Sequence, residues 1–202
     1  MVAEAISDDK SPPLPGPWRE FREAMGEFRS PEPVLPLLGL LGRAPWPAHL
    51  ASHLAPLLGE RIACSPVWPF AATRYYEPEM GGDLRRGFLL FAPADPGRLA
   101  DWKLGTQALE RQWRTPHGRR INLDPGYLSA TGLFLASTKP GLHRVYLRDG
   151  IYAELTLWRA AGGWTPLPWT FPEFREPTYY GFLDHARRLV RQRRRARRSE
   201  GG

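Results

Sequence analysis

The chain has 202 residues, enough for one domain with a sizeable core and too few for two full ones. A hydrophobic share of 42%, with eight Trp, nine Phe and seven Tyr, excludes an intrinsically disordered polymer. The net charge of +7 suggests a polyanion-binding protein, but the eight arginines between Arg187 and Arg198 exceed that whole excess, so the remainder is close to neutral.

One cysteine, Cys64, excludes an internal disulfide, and its apolar surroundings predict a buried, inert thiol. The amino terminus, "MVAEAISDDK", lacks the basic-then-apolar layout of a secretory signal. No apolar run approaches the ~18 residues of a membrane span. The expectation is a cytoplasmic protein with no membrane partner.

Residues 1–33 form a Pro- and charge-rich extension in which Trp18, Phe21, Met25 and Phe28 recur at helical spacing. They predict a short amphipathic helix that docks on the main domain or on a partner. From Val34, "VLPLLGLLG" reads as a buried strand, and Leu50, Leu54, Leu57 and Leu58 predict a helix after it. "RIACSPVWPF" and "RRGFLLFAP" read as strands, the proline-bearing first one at an edge or bulge. Asp95-Pro96 signals the start of a helix carrying Leu99, Trp102, Leu109 and Trp113.

"RRINLDPGYL" reads as a strand that ends in a turn. The order to this point is β-α-β-β-α-β, and the predicted fold is α+β with a ferredoxin-like core. "GLFLASTK", "HRVYLR" and "IYAELTLW" extend the sheet, the last two joined by a type I′ hairpin at Asp149-Gly150. A carboxy-terminal helix then starts near Thr178, with Phe182, Ala186, Leu189 and Val190 as its apolar stripe. The expected organisation is an extension over 1–33, one domain over 34–190 and an Arg-rich tail over 191–202.

Five phrases stand in a distinctive order: "YYEPEMG", "RRINLDPGYL", "LASTK", "HRVYLRDGIYAELTL" and "PLPWTFPEFR". Together they resemble the bacterial family DUF4416, a domain of unknown function, over roughly residues 34–189. The family has no established reaction to carry over, so the resemblance leaves reaction and cofactor open. The pattern G-x-x-x-x-G-K-[ST] that cradles phosphates is absent, and "ASTKPG" lacks the glycine-rich loop and leads into a hairpin.

The hairpin turn sets expected neighbours. A two-residue loop pairs Arg148 with Ile151, Val145 with Glu154 and His143 with Thr156, which puts His143, Tyr152 and Glu154 on one face. His143 and Glu154 then sit diagonally at about 7–8 Å, as an acid–base pair or an ordinary cross-strand polar pair. Alternation directs Asn122 and Asp124 away from the core faced by Ile121 and Leu123. Asp124 reads as a metal ligand, a base, or only part of an Asp-Pro-Gly turn. Lys103, Lys139 and Arg144 are candidate anion holders, and Tyr127 and Tyr152 candidate ligand contacts. "YYEPEMGG", with Tyr75, Tyr76, Glu77 and Glu79, reads as a loop over the sheet edge or simply as core cover.

His49 and His53 are spaced i, i+4 but have no third ligand, and Ser137 has no nucleophile-elbow sequence around it. The expected function is an enzyme or binding protein for a small anionic ligand, phosphorylated and nucleotide ligands included. Its proton-transfer groups are His143 and Glu154, with Asp124 as base or metal ligand, and the cofactor is unknown. The alternative is an RNA or ribonucleoprotein-associated module that uses Arg191, Arg193, Arg194, Arg195, Arg197 and Arg198.

Overall fold

The run Leu35–Gly42 (β1) has no polar side chain, and all eight of its residues are buried. Such a strand has to be covered on both faces and flanked on both edges. Two antiparallel neighbours flank it: β4 (Arg85–Phe91) on one side and β5 (Ile121–Leu128) on the other. The computed structural model describes residues 31–47 and 49–200. The amphipathic helix expected over residues 18–28 lies outside the described residues.

Around this centre the sheet includes β2 (Arg61–Cys64), β6 (Gly132–Ser137), β7 (Arg144–Arg148) and β8 (Ile151–Ala160). The spatial order is β2-β4-β1-β5-β6-β8-β7, every neighbouring pair antiparallel. Short β3 (Trp68–Pro69) adds to β4, and β9 (Gly163–Pro166) adds to β8, making nine strands among the described residues. Among the described residues five α-helices accompany them: α1 (Leu50–Leu58), α2 (Glu77–Met80), α3 (Leu99–Gln112), α4 (Pro172–Arg175) and α5 (Tyr180–Glu200). The protein is therefore α+β around one large antiparallel sheet. Among the described residues no helix is long and apolar enough to cross a membrane.

Alternation along β1 divides the core. Leu38 and Leu40 pack with Leu54 of α1 and Trp102 of α3, whereas Leu35 and Leu37 pack with Phe182 and Leu183 of α5. Phe88 centres the second layer, stacked against Phe182 with ring centroids 6.2 Å apart and edge-on to Tyr179 at 5.1 Å. The helix-start signal at Asp95 operates as its sequence implies. Its Oδ1 accepts the Gly97 N–H at 2.8 Å, and a 3₁₀ turn, Pro96–Arg98, leads into α3.

Three expectations need correction. Asp124-Pro125-Gly126 is not a turn but the middle of β5, because β5 pairs with β1 over eight consecutive residues and that long register overrides local turn preference. The turn falls at Ser129-Ala130-Thr131, where the Ser129 hydroxyl accepts from the N–H groups of Thr131 and Gly132 at 3.1 Å each. Cys64 is exposed, since β2 is the outermost strand.

The hairpin turn itself forms as expected, with Asp149 at φ 51° and Gly150 at φ 73° and Arg148 opposite Ile151. Beyond it the ladder shifts by one residue between Tyr146 and Arg148. This bulge at Leu147 puts Arg144, rather than Val145, opposite Glu154, and Val145 opposite Ala153. The carboxy-terminal helix, which the sequence predicts to start near Thr178, runs past its apolar stripe through Glu200. Strand β9 and helices α2 and α4 are additions that the sequence does not predict, α2 falling where "YYEPEMGG" reads as a loop.

Candidate functional site

A cleft opens where the sheet divides. β5 and β6 pair only at Gly126↔Leu135, Tyr127↔Phe134 and Leu128↔Leu133, and toward Asn122 on β5 and Lys139 beyond β6 they separate. Separation leaves backbone groups of β5 without a strand partner, a cost that has to be met elsewhere. Helix α3 meets it. The Leu123 N–H donates to Glu110 Oε1 at 2.5 Å, and the Leu123 carbonyl accepts from Lys103 Nζ at 3.4 Å. Burial pushes the Glu110 carboxyl above the usual carboxylate range. Two side chains one heptad apart thus stand in for the missing strand.

The gap is a cavity of about 190 Å³, smaller than the roughly 300–1,000 Å³ of drug-sized sites. Four basic side chains line it, Lys103, Arg119, Lys139 and Arg144, against three carboxylates, Asp124, Glu154 and Glu173. Tyr76, Leu135, Phe171 and Phe174 supply ring and alkyl surface.

One wall is a continuous polar chain. Arg86 on β4, 1% exposed, donates to Glu173 of α4 through Nε (2.7 Å) and Nη2 (2.5 Å) and to Asp124 Oδ2 through Nη1 (3.3 Å). Asn122 Nδ2 also donates to Asp124 Oδ2, at 2.6 Å, and Arg119 Nη1 donates to Asn122 Oδ1 at the same distance. Arg119 in turn grips Glu79 of α2, with Nη2 2.8 Å from Oε2 and Nε 3.0 Å from each oxygen. Hydrogen bonds from Arg119 hold Glu79 below the usual carboxylate range.

Burial pushes Asp124 up, but Lys103 and Arg86 beside it, with the Asn122 amide, more than reverse that and hold it ionised below its ordinary value. Glu173 goes the other way: burial raises it, and Arg86 only partly compensates. Burial, reinforced by Asp124, keeps the Tyr76 phenol well above its usual range, so Tyr76 is a neutral hydroxyl.

The opposite wall comes from the hairpin. Glu154 on β8, 3% exposed, accepts through Oε2 from Arg144 Nε at 2.7 Å and lies 3.2 Å from His143 Nε2. Its Oε1 is buried and has no hydrogen-bond partner among the described residues. The His143 ring stacks on Trp169, with centroids 5.2 Å apart and planes at 15°. Arg144 Nη1 also donates to the Lys139 carbonyl at 2.9 Å. Lys139 Nζ rests over the Tyr75 ring at 5.4 Å.

Of the residues singled out in the sequence, Asp124, Asn122, Lys103, Lys139, Arg144 and Glu154 line this one cleft, and His143 touches Glu154 from behind it. Tyr127 and Tyr152 lie elsewhere. Tyr127 stacks on Phe134 with centroids 4.9 Å apart, and Tyr152 meets Tyr146 edge-on at 5.4 Å. His49 and His53 are bound up in the first turn of α1, His53 Nδ1 lying 2.8 Å from the His49 carbonyl. Among the described residues no group of three or more His, Cys, Asp or Glu is placed to hold a metal ion.

Arg86, Arg119 and Glu173 are the functional-site residues that the sequence reading missed. A signal existed for the first. Arg86 stands in phase with Phe88 in a strand otherwise buried, and a charge on the core face of a strand demands a buried partner.

An antiparallel sheet that parts around a charged cleft, backed by two helices on one face and one on the other, defines an α+β domain with a polar cleft in its sheet. The chain belongs to the family described as domain of unknown function DUF4416, which it matches over residues 34–189. That match begins at the edge of β1 and stops before the Arg-rich end of α5. The chain matches no curated protein and no solved structure.

Proposed function

We propose that the cleft between β5 and β6 binds a small anion, in an enzyme or a binding protein, with the phosphoryl or carboxylate group of the ligand between Lys103, Lys139 and Arg144. The observation that carries this reading is the charge balance. Each of the three carboxylates lining the cleft is already ion-paired within the protein, whereas Lys139 has no carboxylate partner among the described residues. The unpartnered Glu154 Oε1 adds an acceptor for a hydroxyl or N–H of the ligand. Glu154 and His143 are the groups suited to move a proton, and Asp124, held ionised, is suited to orient rather than to donate.

We also read the core as ferredoxin-like. Support comes from the order β2-β4-β1-β5, with α1 joining β1 to β2 and α3 joining β4 to β5.

A thermal-shift series with inorganic phosphate, phosphorylated metabolites and nucleotides tests the anion reading. A ligand at one hundred times its Kd adds about 2.7 kcal/mol. That corresponds to a rise in Tm of roughly 5–10 °C for a chain of this size. Lys139→Ala is expected to abolish the shift while leaving the Tm without ligand unchanged. Silence of the unaltered protein across the whole series would overturn the proposal.

A further inference from the structure

Helix α5 is two different helices in sequence and one in backbone. Through Val190 it is a core helix, with Phe182, Leu183, Ala186 and Val190 buried. Past Val190 the backbone stays helical to Glu200, while Arg191, Gln192, Arg193, Arg195, Ala196 and Ser199 are all exposed. At 1.5 Å per residue the arm from Arg191 to Ser199 is about 14 Å long.

At roughly 100° per residue, its six arginine positions, 191, 193, 194, 195, 197 and 198, span about 200°, a little over half of the circumference. They include the sector that Ala186 and Val190 turn to the core one and two turns earlier. No carboxylate stands between Asp184 and Glu200 to neutralise them, and Asp184 is itself 3.4 Å from Arg159.

That distribution selects the partner. A helix that lies in a membrane interface needs an apolar face, and a helix that docks in a protein groove needs apolar anchors at i, i+3 and i+4. Beyond Val190 the only apolar residue is Ala196. Cations on over half of a helix circumference match a groove with phosphates on both walls. The B-form major groove, about 12 Å wide, admits an α-helix, whereas the A-form major groove is deep and narrow.

We propose that the Arg191–Ser199 arm of α5 is a sequence-independent binding element for double-stranded DNA, seated in the major groove through phosphate contacts. This activity is separate from the anion cleft, from which none of its residues contributes to the lining. Six arginines give a log Kd against log salt slope of up to about 5, or close to a thousandfold weakening from 50 to 200 mM salt.

The experiment is fluorescence anisotropy on the full chain with a labelled 20-base-pair DNA duplex of random sequence, the matching RNA duplex and the single strand, at 50 and 200 mM salt. The DNA duplex is expected to bind at least tenfold more tightly than either alternative, with the steep salt dependence. A full-length variant with glutamine at positions 191, 193, 194, 195, 197 and 198 retains helix-forming side chains and is expected to lose the binding. A Lys139→Ala variant is expected to keep it. Equal affinity for the RNA duplex or the single strand overturns groove seating. Binding that survives the glutamine variant, tighter binding to vesicles of anionic lipid, or no binding at 50 mM salt overturns the proposal as a whole.

Discussion

Replacing Arg86 by methionine is expected to lower stability by about 3–5 kcal/mol, the typical cost of breaking a buried ion pair by removing one partner. The Tm falls by roughly 6–20 °C as a result. Arg86 is 1% exposed and, among the described residues, is the only cation paired with Glu173, so its loss leaves a carboxylate that is itself 9% exposed without a counter-charge. Glu173 already sits above its ordinary range because of burial, and without Arg86 it rises further. A carboxyl whose folded-state pKa is raised favours folding when protonated and loses that advantage as pH rises.

The deficit of the variant is therefore smallest below the ordinary carboxylate range and grows as pH rises through and above it. Asp124 acts in the opposite sense, being held low, but it retains Lys103 in the variant. Urea unfolding at a series of pH values reads both effects. Adding Glu173→Gln to Arg86→Met is expected to recover a large part of the loss, because the uncompensated charge disappears. A deficit that does not change with pH would show that packing, not charge, makes Arg86 matter.

Gly126→Ala is expected to cost about 3 kcal/mol or more, at or beyond the upper end of ordinary overpacking. A Cβ there would lie 2.2 Å from the Phe134 carbonyl oxygen and 2.6 Å from Leu135 Cδ2. The first obstacle is backbone, so a rotamer change cannot relieve it. Gly126 is also the last β5 residue that pairs with β6 before the strands part. Pushing β6 away at this point should widen the cleft as well as weaken the seam. The measurement is urea unfolding beside the thermal-shift response to anions, and a stability change under about 0.5 kcal/mol would show that the seam yields freely.

Most of this architecture can be read from apolar periodicity. β1, α1, β4 and α3 follow directly from their runs of Leu, Phe and Trp, and the Asp149-Gly150 turn from its two left-handed residues. Alternation also assigns Asn122 and Asp124 correctly to the face opposite Ile121 and Leu123. What escapes is whatever depends on distant partners. Asp-Pro-Gly has strong local turn chemistry, and only its pairing with β1, more than 80 residues earlier in the chain, keeps it extended. The bulge at Leu147 lacks the glycine that would advertise it. Arg86 and Glu173 are 87 residues apart, and nothing near either one names the other.

The irregularity at Leu147 has an effect beyond the cleft. β7 is the outermost strand, and Val145, Tyr146 and Leu147 show their side chains to solvent. A straight strand of that composition would be an open template on which other chains could stack. A kinked border with arginine at both ends, Arg144 and Arg148, fits a second strand poorly. The distortion that seats Arg144 on Glu154 thus also guards the protein against sticking to itself.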